Sequence, residues 1–183
     1  NLSNKLNYAN IFNEEKMNKK ENFYVFLDID GVLWDWEWRK SQIEKGSKKE
    51  FFWEQFNPES MSALNHLLRT LGRKYNCFLV ISSTWRQDMN ITNKLLRLNG
   101  LKFDKPLLAT PISSDPSRRG EEILRFFGTN RTQNFVIIDD ESFDFHKYFS
   151  SDKIIKTNIF SHSLNRQDVS KYLKNALNKE STK

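Results

Sequence analysis

Hydrophobic residues along the chain fall into short continuous runs and longer stretches with helical spacing. The continuous runs are rich in branched and aromatic residues, as is typical of buried parallel strands. They predict strands at about 23–29, 77–82, 135–139 and 153–157. Between them, spaced apolar residues and end signals such as Asn57 and Gly100 predict helices. The predicted helices lie at about 58–75, 87–98, 116–127 and 166–178. Alternating strands and helices form βαβ units, so we expect an α/β fold with a doubly wound parallel sheet.

A different pattern follows the first strand. Residues 34–38 carry tryptophan at every second position, which is strand periodicity and predicts a short β-flap folding back over the strand end. A charged loop at 39–50 and a short helical piece around the aromatic residues of 51–56 are expected next. The whole insertion, at about 34–57, is too small to form an independent cap domain.

Length and composition predict one soluble domain. The chain has 183 residues, of which 38% are hydrophobic and 28% charged. The polar segment 1–22 is expected to be an N-terminal extension, which leaves 23–183 as the domain. No apolar run approaches the roughly 20 residues that span a bilayer, and no signal peptide is visible, so a cytoplasmic protein without a membrane partner is expected.

Charge and cysteine usage narrow the partners further. The net charge of +6 favours anionic substrates without identifying them, and nothing indicates an obligate protein partner. The single cysteine, Cys77, excludes an internal disulfide and any multi-cysteine metal site.

Two carboxylates stand one residue apart where the first strand ends. Side chains alternate along an extended chain, so Asp28 and Asp30 share a face, and Gly31 then allows a sharp turn. Carboxylates beside a buried strand end are unfavourable unless a cation lies between them, so the pair predicts a divalent cation and an anionic substrate. Asp-x-Asp-Gly also opens a calcium-binding loop, but the apolar residues 32–34 lack the oxygen ligands that such a loop needs.

Polar groups also follow the second and third strands. A hydroxyl such as that of Ser82 or Ser83, followed by free backbone N–H groups, suits phosphate oxygens, although serine also caps helices. Arg86 is expected either to face the site or its rim, or to form a surface salt bridge. Asp139 and Asp140 end the third strand, and hard carboxylate ligands of this kind favour Mg²⁺. Because ligands bind outside the carboxyl ends of strands in such sheets, these positions predict one shared site.

In this order the motifs resemble the signatures of the haloacid dehalogenase (HAD) superfamily, whose members mostly hydrolyse phosphate esters. Asp28-Ile29-Asp30-Gly31 is similar to the first signature, Ser82 to the second and the acidic pair after residues 136–138 to the fourth. The third signature is a basic residue near a helix start, for which Arg119 is the first choice and Arg118 the alternative. The resemblance covers about residues 23–178 and implies a Rossmann-like HAD fold. Arginine in place of the more usual lysine, and the lack of a sizeable cap, depart from better-known members.

The resemblance implies a Mg²⁺-dependent phosphatase that forms an aspartyl-phosphate. Asp28 would be the nucleophile and Asp30 the general acid and base. The implied phosphate-binding residues are Ser82, Ser83, Arg86 and Arg119. The implied metal ligands are Asp28, Asp30 through its backbone carbonyl, and Asp140, with Asp139 as the supporting residue or the alternative ligand.

The substrate is the least determined feature. Residues 82–86, Ser-Ser-Thr-Trp-Arg, resemble those of small HAD phosphatases that include domains linked to RNA end repair. A small insertion leaves the site open, which suits large substrates such as nucleic-acid ends or phosphoproteins. Nucleotide or nucleic-acid phosphate is the leading substrate class, and small-metabolite phosphates are the next. The tryptophans could stack on bases or only pack the flap; they are Trp34, Trp36, Trp38 and Trp53. The rival hypothesis is a non-catalytic HAD fold that binds nucleic acid or protein, but such a scaffold would not need all the motifs together.

Overall fold

A five-stranded parallel sheet forms the centre of the protein. The structure, a computed structural model, describes residues 20–46 and 54–178, and its strands lie in the order β3-β2-β1-β4-β5. The strands are β1 Asn22–Leu27, β2 Asn76–Ile81, β3 Leu108–Ala109, β4 Phe135–Asp139 and β5 Ile154–Lys156. All neighbouring strands run parallel, which confirms the predicted fold class.

The described residues form five α-helices, which are α1 Trp36–Glu44, α2 Pro58–Lys74, α3 Met89–Leu98, α4 Arg119–Phe127 and α5 Arg166–Asn178. Four of them correspond to predicted helices, and α1 does not. The side chain of Asn57 accepts the Glu59 N–H at 3.0 Å and caps α2, whose first residue is a proline. None of these helices is both long and apolar enough to cross a bilayer.

The two faces of the sheet bury different side chains. Val25 and Leu27 of β1 point into the larger core, where they pack with α2, α3 and α5. The opposite face, under α4, is built mainly of rings, and we call it the aromatic face. Its aromatic members are Tyr24, Phe26, Phe126, Phe127, Phe135, Phe143, Phe145 and Phe149.

The register of the sheet brings three strand ends together. Leu27 of the central strand lies opposite Ile81 of β2 and Ile138 of β4. Just beyond, the N–H of Asp28 donates to the Ile138 carbonyl at 3.0 Å, and the N–H of Ser82 donates to the Leu27 carbonyl at 2.8 Å. The residues that follow β1, β2 and β4 therefore share one edge, as the sequence predicts.

The predicted β-flap is wrong. After a single backbone bridge between Asp30 and Trp34, the chain turns into helix α1 and stays helical to Glu44, through much of the predicted charged loop. The carboxylate of Asp35 starts this helix because it accepts the Trp38 N–H at 2.8 Å. Its other oxygen accepts from the N–H and hydroxyl of Ser163, at 3.0 and 2.5 Å. A contact across 128 residues thus fixes a helix where alternating tryptophans suggest a strand.

Three smaller differences concern the linkers. The two-residue strand β3 lies between the helices predicted at 87–98 and 116–127, where no strand is predicted, and it is too short to show any periodicity. The predicted helices at 87–98 and 116–127 begin later, at Met89 and Arg119. Residues 51–53 of the aromatic piece predicted at 51–56 lie outside the described residues, as does most of the extension predicted at 1–22.

Candidate active site

Asp28 lies buried at the end of β1, beside a cation. The nearest guanidinium nitrogen of Arg119 is 3.7 Å from its carboxylate. Burial raises the pKa of Asp28 from 3.8 to about 7, although Arg119 and a hydrogen bond from the Ser83 hydroxyl act in the opposite direction. An anionic Asp28 is therefore unfavourable here unless more positive charge reaches it.

Two further carboxylates approach Asp28 from the end of β4. Asp28, Asp139 and Asp140 each offer an oxygen within 4.8 Å of the others. Burial raises the pKa of Asp139 well above its usual range, and the neighbouring Asp28 adds to that rise. Burial also raises the pKa of Asp140, while Lys156 partly offsets it. Three clustered carboxyl groups supply the hard oxygen donors that Mg²⁺ prefers, and a bound divalent cation would favour their ionised forms.

Gly31 makes room for this cluster. Its φ of +73° is in the left-handed region, and a Cβ there would lie 2.4 Å from the carboxyl carbon of Asp140. The Asp140 carboxylate thus packs directly on the turn after β1. Asp139 is tied differently, since its Oδ1 accepts the Glu141 N–H at 2.8 Å. Its buried Oδ2 has no hydrogen-bond partner among the described residues.

Asp30 is half-buried and turned towards two tryptophans. Its Oδ1 accepts the indole N–H of Trp34 at 2.9 Å, and its Oδ2 accepts that of Trp85 at 3.0 Å. Trp34 is buried, so it cannot also stack on a base. Trp36 is exposed, and Trp53 lies outside the described residues.

The two serines after β2 differ in their contacts. The oxygen of Ser83 accepts the Trp85 N–H and caps the short 3₁₀ turn Thr84–Asp88, so the capping alternative applies to this residue. The hydroxyl of Ser82 is buried and has no hydrogen-bond partner within the described ranges. A buried hydroxyl without a partner at this strand end suits an oxygen atom of a bound anion.

Arg119 and Arg118 occupy different surroundings. Arg119 begins α4, is buried, and lies with its guanidinium carbon 5.0 Å from the centre of the Phe143 ring. The side chain of Arg118 is 57% exposed and pairs with Asp115 and Glu121. The structure therefore brings Arg119, and not Arg118, to the carboxylates.

Arg86 forms a buried ion pair instead of lying at the rim or in a surface salt bridge. It donates to Glu122 at 2.7 Å and to the Ser83 carbonyl at 2.7 Å. Glu122 also lies 3.5 Å from Arg119 and accepts the Ser113 N–H at 2.8 Å. This fully buried glutamate orients both arginines. Sequence reasoning missed it, because an acid in the first turn of a helix usually needs no explanation beyond the helix dipole.

Two more site residues were missed. Lys156 ends β5 opposite Asp139 and donates to the carbonyl of Asp140. Lys156 could have been predicted in the same way as the aspartates and Ser82, because it is a polar residue at the carboxyl end of a strand. Asp144 accepts the N–H of Gly120 at 2.6 Å and so fixes the start of α4. No sequence pattern around Asp144 indicates this role.

Residues 24–169 match the family described as the HAD domain in Swiss Army Knife RNA repair proteins. The chain belongs to this family. No curated protein and no solved structure matches it. The resemblance to the HAD superfamily is thus confirmed for a small HAD domain, and the clustered aspartates are consistent with the general use of Mg²⁺ by HAD domains.

Proposed function

We propose that this HAD domain is a Mg²⁺-dependent phosphomonoesterase that acts on phosphorylated nucleic-acid ends. One observation carries the proposal: the buried Asp28 lies beside both a cation, Arg119, and two further carboxylates. A binding scaffold gains nothing from two buried acids and a third, half-buried one, each with a raised pKa, in one cluster. A phosphate-transferring site gains a nucleophile and a place for a metal.

The first chemical step would form a bond from a carboxylate oxygen of Asp28 to phosphorus while the bond to the leaving oxygen breaks. Asp30 would donate a proton to that oxygen as it departs. Ser82 and Arg119 would hold the other phosphate oxygens. Their hydrogen bonds and the positive charge of Arg119 would offset the negative charge that grows on those oxygens. The resulting aspartyl-phosphate retains the phosphoryl group on the enzyme.

The second step would reverse the role of Asp30. Its carboxylate accepts a proton from a water molecule, whose oxygen attacks phosphorus and releases Asp28 and inorganic phosphate. Mg²⁺ held by Asp28, Asp140 and the Asp30 carbonyl, with Asp139 in support, would neutralise charge on the nucleophile and on the transferring group. Arg86 is assigned to orienting Arg119 through Glu122, since both of its described contacts are to protein groups.

A nucleic-acid end is the substrate class that the surroundings favour. The family is named for RNA repair proteins. Trp36 is 42% exposed, and its ring centre lies 5.3 Å from that of Trp34, which contacts Asp30. The carbonyl of the exposed Phe160 accepts the N–H of Glu37, which places the Phe160 backbone beside the start of α1. Exposed rings at the mouth of a phosphate site can stack on the bases next to a phosphorylated end.

A substrate screen tests this proposal. Mononucleotides, 3′- and 5′-phosphorylated RNA oligonucleotides and p-nitrophenyl phosphate are compared with Mg²⁺ and with EDTA, and Asp28→Asn is the inactive control. We expect Mg²⁺-dependent phosphate release that is fastest on an oligonucleotide end and falls steeply with salt. Salt-independent preference for a small phosphate ester would indicate a metabolite phosphatase. Nucleic-acid binding without turnover would indicate a non-catalytic domain.

A further inference from the structure

The two indole donors to Asp30 come from different loops. Trp34 follows β1 and Trp85 follows β2, so the carboxylate is held from both sides of the strand edge. We call this pair of hydrogen bonds the indole clamp. Among the described residues each carboxylate oxygen has one donor, at 2.9 and 3.0 Å, and the pair restrains rotation of the carboxylate about its bond to Cβ.

Both donors are themselves held in place. The guanidinium carbon of Arg39 lies 3.1 Å from the centre of the Trp34 ring, and Trp34 is also bridged to Asp30 through the backbone. The carbonyl of Trp85 accepts the Thr92 hydroxyl at 2.7 Å. Its ring packs edge-on to Phe56 at 5.8 Å. The clamp is therefore built into the packing and is not a chance surface contact.

Indole is an unusual partner for a general acid and base. Its N–H donates and has no lone pair in the ring plane, so it can orient a carboxylate but cannot take a proton from it. Each carboxylate oxygen has further acceptor capacity beyond the one indole bond. The proton that Asp30 transfers must therefore be bound at a carboxylate lone pair that does not accept an indole N–H. Because the carboxylate is held in place, that lone pair points in one defined direction.

We propose that Trp34 and Trp85 are positioning residues that aim Asp30 at the leaving oxygen. This inference rests on the proposed phosphatase function and adds a role for two residues that are not expected to touch the substrate. The positioning should matter more for some leaving groups than for others. An alkoxide leaves poorly and needs a well-aimed proton, whereas p-nitrophenolate leaves readily without one.

The test compares two esters in three variants. Trp85→Phe and Trp34→Phe keep an aromatic ring but remove the N–H, and Trp38→Phe removes an indole N–H from α1 while both donors to Asp30 remain. For each variant, kcat and KM are measured on p-nitrophenyl phosphate and on an alkyl phosphate. We expect Trp85→Phe to lower kcat/KM by about tenfold or more on the alkyl ester and by less than about threefold on the aryl ester. KM should stay close to that of the wild type, and Trp38→Phe should lower neither value selectively.

A second measurement reports the clamp without turnover. In ¹H–¹⁵N spectra, Asp30→Asn should shift the indole signals of Trp34 and Trp85 more than that of Trp38. Equal losses on both esters, or unmoved indole signals, would overturn the clamp while the phosphatase assignment stands. A wild-type protein that hydrolyses neither ester nor any phosphorylated oligonucleotide with Mg²⁺ would overturn the proposed function, and the positioning role with it.

Discussion

Replacing the proposed nucleophile should stabilise the metal-free protein. The carboxyl of Asp28 has a pKa of about 7 in the folded protein, against an ordinary value of 3.8. Each pKa unit corresponds to about 1.4 kcal/mol, so ionising Asp28 in the fold lowers the free energy of unfolding by about 4 kcal/mol. Asp28→Asn removes that penalty and keeps the shape of the side chain.

The sign of the pH dependence follows from the raised pKa. A folded state that keeps its proton longer than the unfolded chain is favoured at low pH. The contribution of Asp28 is thus complete below about pH 3.8 and is lost as the pH rises through about 7. The wild type should lose stability over this window, and the variant should lose less. Some dependence should remain in the variant, because burial also raises the pKa of Asp139 and Asp140.

Thermal unfolding in EDTA between about pH 4 and pH 8 measures the effect. For a chain of this size, 1 kcal/mol shifts Tm by about 2–4 °C, so Asp28→Asn should unfold about 8–16 °C higher at the upper end of the range. Asp104→Asn, an exposed site in the loop before β3, is the matched control and should follow the wild type. Mg²⁺ should stabilise the wild type more than the variant. A variant with the full wild-type pH slope, or a lower Tm at about pH 8, would refute the electrostatic account.

Three further predictions concern the surroundings of the site. Gly31→Ala should destabilise the fold by about 1–3 kcal/mol in urea unfolding and abolish turnover, because its Cβ would meet the carboxyl of Asp140; normal activity would contradict this. Glu122→Gln should cost about 3–5 kcal/mol, since it breaks a buried ion pair, whereas the more exposed Glu121→Gln should cost about 1 kcal/mol or less. Similar losses in both variants would argue against the role of Glu122. Trp36→Ala should weaken binding of a phosphorylated oligonucleotide by about 1–3 kcal/mol and leave p-nitrophenyl phosphate hydrolysis unchanged, and equal effects on both would assign Trp36 to packing alone.

Much of the candidate site could be predicted because its signals are local. A continuous apolar run ends at a polar residue, and in a parallel sheet every such end lies at the same edge. This rule places Asp28, Ser82 and Asp140 together without knowledge of the register. The strand order is needed only to say which of these strand ends are adjacent.

The rest depends on contacts between distant parts of the chain. Helix α1 needs the bond from Ser163 to Asp35, and the role of Glu122 depends on Arg86, 36 residues earlier in the sequence. The indole bonds to Asp30 also could not be read from the sequence, because alternating tryptophans indicate a strand as readily as a clamp. Hydrophobic periodicity indicates on which face of a helix or strand a residue lies. It does not indicate which other part of the chain that face contacts.

The aromatic face has a consequence for motion. Its rings form an unbroken series of contacts from Tyr24 through Phe127, Phe135, Phe149 and Phe145 to Phe143, which lies under Arg119. A closely packed ring can flip by half a turn only when its neighbours open a transient gap, so flips along the series should be coupled. An anion that immobilises Arg119 should therefore slow the flipping of rings deep beneath α4, where aromatic NMR line shapes would record it.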